Sequence, residues 1–181
     1  MSQEVIDRLT HLLAGFDARV QATPADAWSS TAPCDGWTAA DVVDHVAGSA
    51  VGITAALTGN PPGSFDKADV AGSWPAVRDG FVGAVTSSDL SQQIPGPFGP
   101  MPAEQLIGRF VCTDILVHTW DLARAVGGDE QLDADAVERA YSGLKPMDAM
   151  IRRPGVFGPK IEPDDGDDLQ TEFLKFLGRP A

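Results

Sequence analysis

The sequence predicts an all-α protein, a bundle of helices joined by long loops rich in proline and glycine. Three observations carry this. Apolar residues recur at spacings of three and four through residues 3–22, the region after residue 38, and 102–126. Proline and glycine, 14 and 19 in number, cluster between those segments and punctuate them. Alternating apolar and polar residues, the mark of a strand, are almost absent; Ile94 and Phe98 alone suggest a short extended patch.

The first helix is expected over residues 3–22. Val5, Ile6, Leu9, Leu12, Leu13, Phe16 and Val20 share one face, and Thr23-Pro24 ends it. Pro33, Asp35 and Gly36 are turn residues that lead into a second helix. Thr38, with Asp41 three residues on, resembles a capping box in which Asp replaces the preferred Glu or Gln. That helix is expected to run to about Thr58, stopped by Gly59-Asn60-Pro61-Pro62-Gly63.

Residues 60–73 read as a loop. A third helix is expected from Ser73, with Pro75 in its first turn, through Trp74, Val77, Phe81 and Val85. A Pro/Gly-rich loop follows. Residues 102–126 form the strongest helical segment, opened by Pro102 and closed by Gly127-Gly128. A further helix is expected over Ala134–Met150, ending before Arg152-Arg153-Pro154-Gly155, and a short last one over LQTEFLKFLG. No internal repeat or second domain is evident, so residues 1–181 read as one domain, long enough to bury its own core.

The formal net charge of -13 argues against nucleic acid, whose binding rests on Lys and Arg neutralising phosphates. It argues equally against anionic membrane surfaces. Neither an apolar leader nor an apolar run of transmembrane length is read, and a cytoplasmic location is expected. The two cysteines, Cys34 and Cys112, are far apart and outside any CxxC pair. They read as reduced thiols, Cys112 as buried filler.

Chemistry enters with the histidines. Of the three, His11 reads as a boundary residue, while His45 and His118 fall within apolar helices. Asp114 and His118 are four residues apart and therefore on one helix face, with Asp121 a turn further on. The helix around them is apolar over most of its circumference, and a polar stripe in such a place needs partners. A metal is one such partner, because two ligands four apart on a helix can chelate one ion. His45, mid-helix beside small Gly48, Ser49 and Gly52, is the natural third ligand. Two imidazoles and a carboxylate are a common catalytic zinc set with one position left open, and the same set can hold nickel or ferrous iron.

Blander readings stand beside this one. Asp114 and His118 can hydrogen-bond along the helix, and Asp121 can cap a neighbouring helix or pair with Arg124. Other carboxylates, Asp44 and Asp148 among them, show no paired spacing, and there is no GxSxG, P-loop or GxGxxG. Trp37 and Trp120 read as packing residues.

APCDGWTAADVVDHVAG (32–48), DILVHTWDLARAVGG (114–128) and the tail FGPKIEPDDGDDLQTEFLKFLGR resemble the DinB/YfiT-like metalloenzyme superfamily. More narrowly, the chain is similar to the metal-binding domain of mycothiol-dependent maleylpyruvate isomerase and to short actinobacterial proteins built from that domain alone. The resemblance implies a DinB-like four-helix core, up-down-down-up, with a divalent metal between the helices. It places the metal ligands on His45, Asp114 and His118. Asp114 stands where the isomerase has Glu, one methylene shorter, which bears on coordination distance and affinity but not on ligand type.

The isomerase has a second domain, absent before the chain ends at Ala181, so its activity is not expected to transfer. The expected function is a metal-dependent enzyme, zinc first with nickel or iron as alternatives. It would activate a mycothiol-like cosubstrate thiol, or water, against a small electrophile. Asp121 would orient His118 from behind. No general acid or base can be named. The alternatives are a non-catalytic metal- or ligand-binding module acting through a protein partner, and a degenerate relative with an empty site. A homodimer is compatible with either.

Overall fold

The computed structural model describes residues 2–152 and 157–181. Four long helical segments form the body: α1 (Ser2–Ala22), α2 (Ala39–Thr58), α3 (Val70–Ser87), and a continuous run made of α4 (Ala103–Leu106), a π turn (Ile107–Val111) and α5 (Cys112–Val126). α2 packs on α3 and α5, and α1 packs on the same two helices, so the four form a closed square around one core. This is the all-α, DinB-like bundle that the sequence predicts. The additional short helices α6 (Ala134–Leu144), α7 (Asp148–Ile151) and α8 (Leu169–Phe176) close one side.

Local chemistry explains most boundaries. α1 buries Leu9, Leu12, Leu13, Phe16 and Val20, the face its spacing marks. Phe16 meets Trp74 of α3 edge-on at 5.1 Å, and the Trp74 indole donates to Asp17 at 2.9 Å, which satisfies the polar end of a fully buried ring. The capping box of α2 is formed in both directions: Thr38 accepts from the Asp41 amide, and Asp41 accepts from the Thr38 amide at 2.9 Å. Lys67 also contacts Asp41, and this ion pair, with the Thr38 bonds, lowers the Asp41 carboxyl to about 2.

Among the described residues, α2 is the one helix long and apolar enough to cross a membrane by length and composition, contrary to the sequence reading. Here it serves as a core helix, with Val42, Val43, Val46, Ala47 and Ala50 buried against the bundle.

Three expectations need correction. α3 starts at Val70 rather than Ser73, because Asp66 caps a 3₁₀ turn (Lys67–Asp69) and Asp69 caps the helix itself. Pro75 therefore lies inside the helix, not in its first turn, and leaves the Ala71 carbonyl without its usual donor. The expected helix over Ala134–Met150 is interrupted: Pro146 falls in a 3₁₀ turn (Lys145–Met147), and α7 is a separate short turn. The expected Arg153-Pro154-Gly155 break lies outside the described residues. Third, the 102–126 segment is not one regular helix but contains the π turn. There Arg8 of α1 donates to the Gly108 carbonyl at 2.8 Å. A side chain at Gly108 would begin 2.9 Å from that guanidinium, which would have to shift to admit it.

At the far end of α5, Gly127 adopts φ 67° as the expected αL cap. The extended patch exists, but as a two-residue pairing of β1 (Gln93–Ile94) with β2 (Met101–Pro102); Ile94 is buried in it, while Phe98 lies beyond it and meets Phe110 at 5.9 Å.

Candidate metal centre

α2 and α5 pack together, and each presents one histidine at their shared edge. His45 is mid-α2. Its small neighbours Gly48 and Gly52 leave open space, with nothing within 4 Å of where a Cβ would stand. On α5, Asp114 and His118 stack one turn apart as their spacing requires. His45 Nε2 lies 3.2 Å from one Asp114 oxygen and 3.3 Å from the other, and His118 Nε2 lies 3.4 Å from Asp114 Oδ1. The imidazole centroids are 4.7 Å apart. Ligand atoms of all three residues fall within 4.8 Å of one another.

The burial is graded. His45 is 39% exposed, Asp114 33%, His118 8% and Asp121 0%. The trio forms part of the wall of a cleft of about 1300 Å³, which Trp37, Arg152 and Lys160 also line. Trp37 is not only a packing residue of the core: its ring stacks on His118 at 5.7 Å and meets His45 at 5.2 Å.

Behind His118 the chemistry changes. Its Nδ1 pairs with Asp121 Oδ2 at 2.9 Å. Asp121 accepts two hydrogen bonds from Arg179, from Nη2 at 2.8 Å and Nε at 3.1 Å. Cys34 completes the cluster, its thiol 3.3 Å from Asp121 and 3.4 Å from the Arg179 guanidinium. Burial alone would push the Asp121 carboxyl up, yet the bonds from His118 and Arg179 hold it at about 2. Burial likewise opposes a charged His118, but Asp114 and Asp121 outweigh it and raise its pKa well above 6.5. Asp114 is lowered, against burial, by His118 and His45.

Asp121 therefore neither caps a helix nor pairs with Arg124, which instead bonds Glu130 at 2.9 Å and lies over the buried Trp120. His11 is exposed and pairs with Asp133 at 3.1 Å, away from the site. Sequence reasoning assigned no site role to Cys34 or Arg179. The signal for Arg179 was indirect: a buried aspartate on α5 needs a cation, and none on its own helix supplies one.

Among the described residues, two trios could offer donors to a cation, and they share His118. In the second, Cys34–His118–Asp121, a divalent ion would sit against the Arg179 guanidinium, which already neutralises Asp121. The first, His45–Asp114–His118, has no such cation in contact among the described residues, and part of its surface is open. Its donor set fits a borderline-soft metal.

Comparisons with known proteins agree with this architecture. The family described as Mycothiol maleylpyruvate isomerase N-terminal domain matches residues 9–123. Two uncharacterized proteins from strains of Mycobacterium tuberculosis are each 33% identical over 143 residues, covering 77% of this chain and 78% of theirs. The fold is similar to the crystal structures of mycothiol-dependent maleylpyruvate isomerase and of a histidine-to-alanine mutant of it. The TM-scores are 0.58 and 0.57 at 13% identity, over 78% of this chain and 68% of those chains. The chain belongs to the mycothiol maleylpyruvate isomerase N-terminal domain family.

Proposed function

We propose that the protein holds one divalent cation, zinc first, on His45, Asp114 and His118, and uses it on small molecules that enter the cleft. The observation that carries this is the set of donor separations, 3.2 to 3.4 Å between Asp114 and the two imidazole nitrogens. A tetrahedral zinc with bonds of about 2.0–2.1 Å keeps its ligand atoms roughly 3.3 Å apart. When bound, the cation would lower the pKa of a coordinated thiol or water, or polarise a carbonyl.

The chain's own residues then have distinct tasks. Asp121 holds the proton on His118 Nδ1, leaving the Nε2 lone pair for the cation. Arg179 fixes Asp121. Trp37 covers the two imidazoles and limits their rotation. Kinship with a family named for a mycothiol-dependent isomerase supports a low-molecular-weight thiol as cosubstrate and a small electrophile as its target. A cytoplasmic setting accords with two free cysteines. We propose no nucleic-acid or membrane partner, and a homodimer remains compatible with this reading.

A second reading, a metal- or ligand-binding module without turnover, is favoured by one feature of the cleft. Asp148 is tied to Arg152 at 2.8 Å and Lys160 to Glu162 at 3.2 Å, so neither stands ready for proton transfer.

The first experiment is elemental analysis of untagged protein purified without added metal, beside His45→Ala and His118→Ala. About one equivalent in the parent and none in the variants is expected. No metal after reconstitution with zinc, nickel or iron ends the metal reading. Metal-dependent consumption of a thiol in the presence of small electrophiles separates the enzyme from the module.

A further inference from the structure

The opposite face of α5 borders a different cavity. Cys112, Thr113 and Leu116 lie about half a turn around the helix from Asp114, His118 and Asp121. They line a space of about 230 Å³ between α1, the π turn and α6. Its walls are largely apolar, with Leu12, Phe110, Leu116, Leu144 and Met147 contributing. The Cys112 thiol adds no anion, since burial raises its pKa against the opposing influence of Arg8.

Against this apolar lining stand three arginines, Arg8, Arg109 and Arg139, in a chain with only 13 basic side chains against 26 acidic ones. Their charge is poorly matched. Arg109 makes no ion pair with any described residue. Arg8 spends Nη2 on the Gly108 carbonyl, and its Nε is buried without a hydrogen bond. One carboxylate serves the other two: Glu4 Oε1 lies 3.3 Å from Arg139 Nη1 and 3.7 Å from Arg8 Nη1, the latter beyond hydrogen-bond range. Glu4 is 62% exposed and free to swing away. Three arginines line an apolar cavity, two of them sharing one loosely held carboxylate and Arg109 paired with none among the described residues, an arrangement suited to a second carboxylate that carries hydrocarbon.

We propose that this cavity binds a small apolar monocarboxylate, its hydrocarbon part between α1 and α6 and its carboxylate on Arg109 and Arg139 at the rim. The volume exceeds the roughly 150 Å³ cavity that accepts benzene, so a two-ring aromatic or medium-chain acid fits. The site is separate from the candidate metal centre and stands or falls independently of it.

Titration calorimetry of the full chain with 1-naphthoate, and with the neutral 1-naphthalenemethanol, tests the proposal. One equivalent of naphthoate is expected to bind at least tenfold more tightly than the alcohol. The double substitution of Arg109→Gln and Arg139→Gln, at exposed positions, is expected to abolish that preference. Ala140→Leu fills the cavity from a buried wall position. Gly143→Leu does so where nothing stands within 4 Å of the new Cβ and where helix propensity rises. Each is expected to weaken naphthoate at least tenfold, whereas His45→Ala leaves it unchanged. The proposal is overturned by absence of one-to-one binding at millimolar naphthoate, by full binding in both cavity-filling variants, or by loss of binding in His45→Ala.

Discussion

The two sides of the His118 ring are built from different materials. Its Nε2 side faces Asp114 at 3.4 Å and, beyond it, His45, whose own Nε2 lies 3.2 Å from Asp114; both are helix-borne and partly exposed. Its Nδ1 side faces Asp121, fully buried, with Arg179 from the chain end and Cys34 from a loop packed around it at 2.8 to 3.4 Å. The first side is loosely bonded and open to the cleft; the second is closely bonded and sealed. A side meant to accept an ion must not already be satisfied, and a side meant to hold an imidazole still must be. The contrast separates a residue's contribution to metal affinity from its contribution to stability.

The largest effects come from the ring at the junction. His118→Ala is expected to reduce metal from about one equivalent to near zero. It also takes one partner each from Asp121 and Asp114, leaving Asp121 to Arg179 and Asp114 to His45, and costs the apo protein about 3 kcal/mol, the scale for breaking a buried charged pair. His45→Ala is expected to lose metal as completely while leaving apo stability within about 0.5 kcal/mol, because its ring sits at the cleft edge. Urea unfolding of the two apo variants checks this, and equal destabilisation would remove the distinction between the two sides. Asp121→Asn acts only on the sealed side. It leaves Arg179 buried beside a neutral amide, at a cost of about 3 kcal/mol, and lowers metal affinity by roughly 10–100-fold through the lost orientation of His118.

The same division decides what could be read from the sequence. The open side consists of residues at helical spacing on two apolar helices, so periodicity and the i, i+4 relation bring His45, Asp114 and His118 into view. The α2 capping box and the Gly127 cap are equally local. The sealed side depends on contacts 58 and 87 residues apart, Asp121 with Arg179 and with Cys34, and no local pattern encodes them. The π turn escapes for the same reason, since its bond to Arg8 spans 100 residues. Pro146 and Asp69 are different: both carried readable signals, a helix breaker and a cap, that the long apolar pattern outweighed.

The sealed side also has a pH signature. The Asp121 carboxyl is depressed to about 2 in the fold and titrates near 3.9 in the unfolded chain. Its stabilisation is therefore fully present above about pH 4 and is lost as pH falls towards 2, an effect of about 2 kcal/mol. His118 works in the opposite sense: its raised pKa contributes stability present below about 6.5 and lost as pH rises through the folded-state value. Unfolding free energies of the apo protein across pH should thus fall on both limbs. Asp121→Asn should make the acid limb shallower, the lowered Asp114 and Asp41 carboxyls keeping the rest of it. An acid limb unchanged by that substitution would mean the Asp121–Arg179 pair contributes no net stability.

The smallest effect is expected at Asp114, where the resemblance to the isomerase implies a glutamate in that enzyme. A glutamate there is one methylene longer. Asp114 is one-third exposed at the edge of a wide cleft, so the longer side chain has room to fold back and keep its contacts with His45 and the buried His118. Asp114→Glu should therefore retain one equivalent of metal, shift affinity by less than about tenfold, and leave apo stability within roughly 0.5 kcal/mol. Competition with a chromophoric chelator measures the first two. A loss beyond 100-fold would show that the open side is as tightly set as the sealed one: with α5 fixed through Asp121 and Arg179, and α2 fixed by its packing, the distance between the helices would tolerate only the shorter acid.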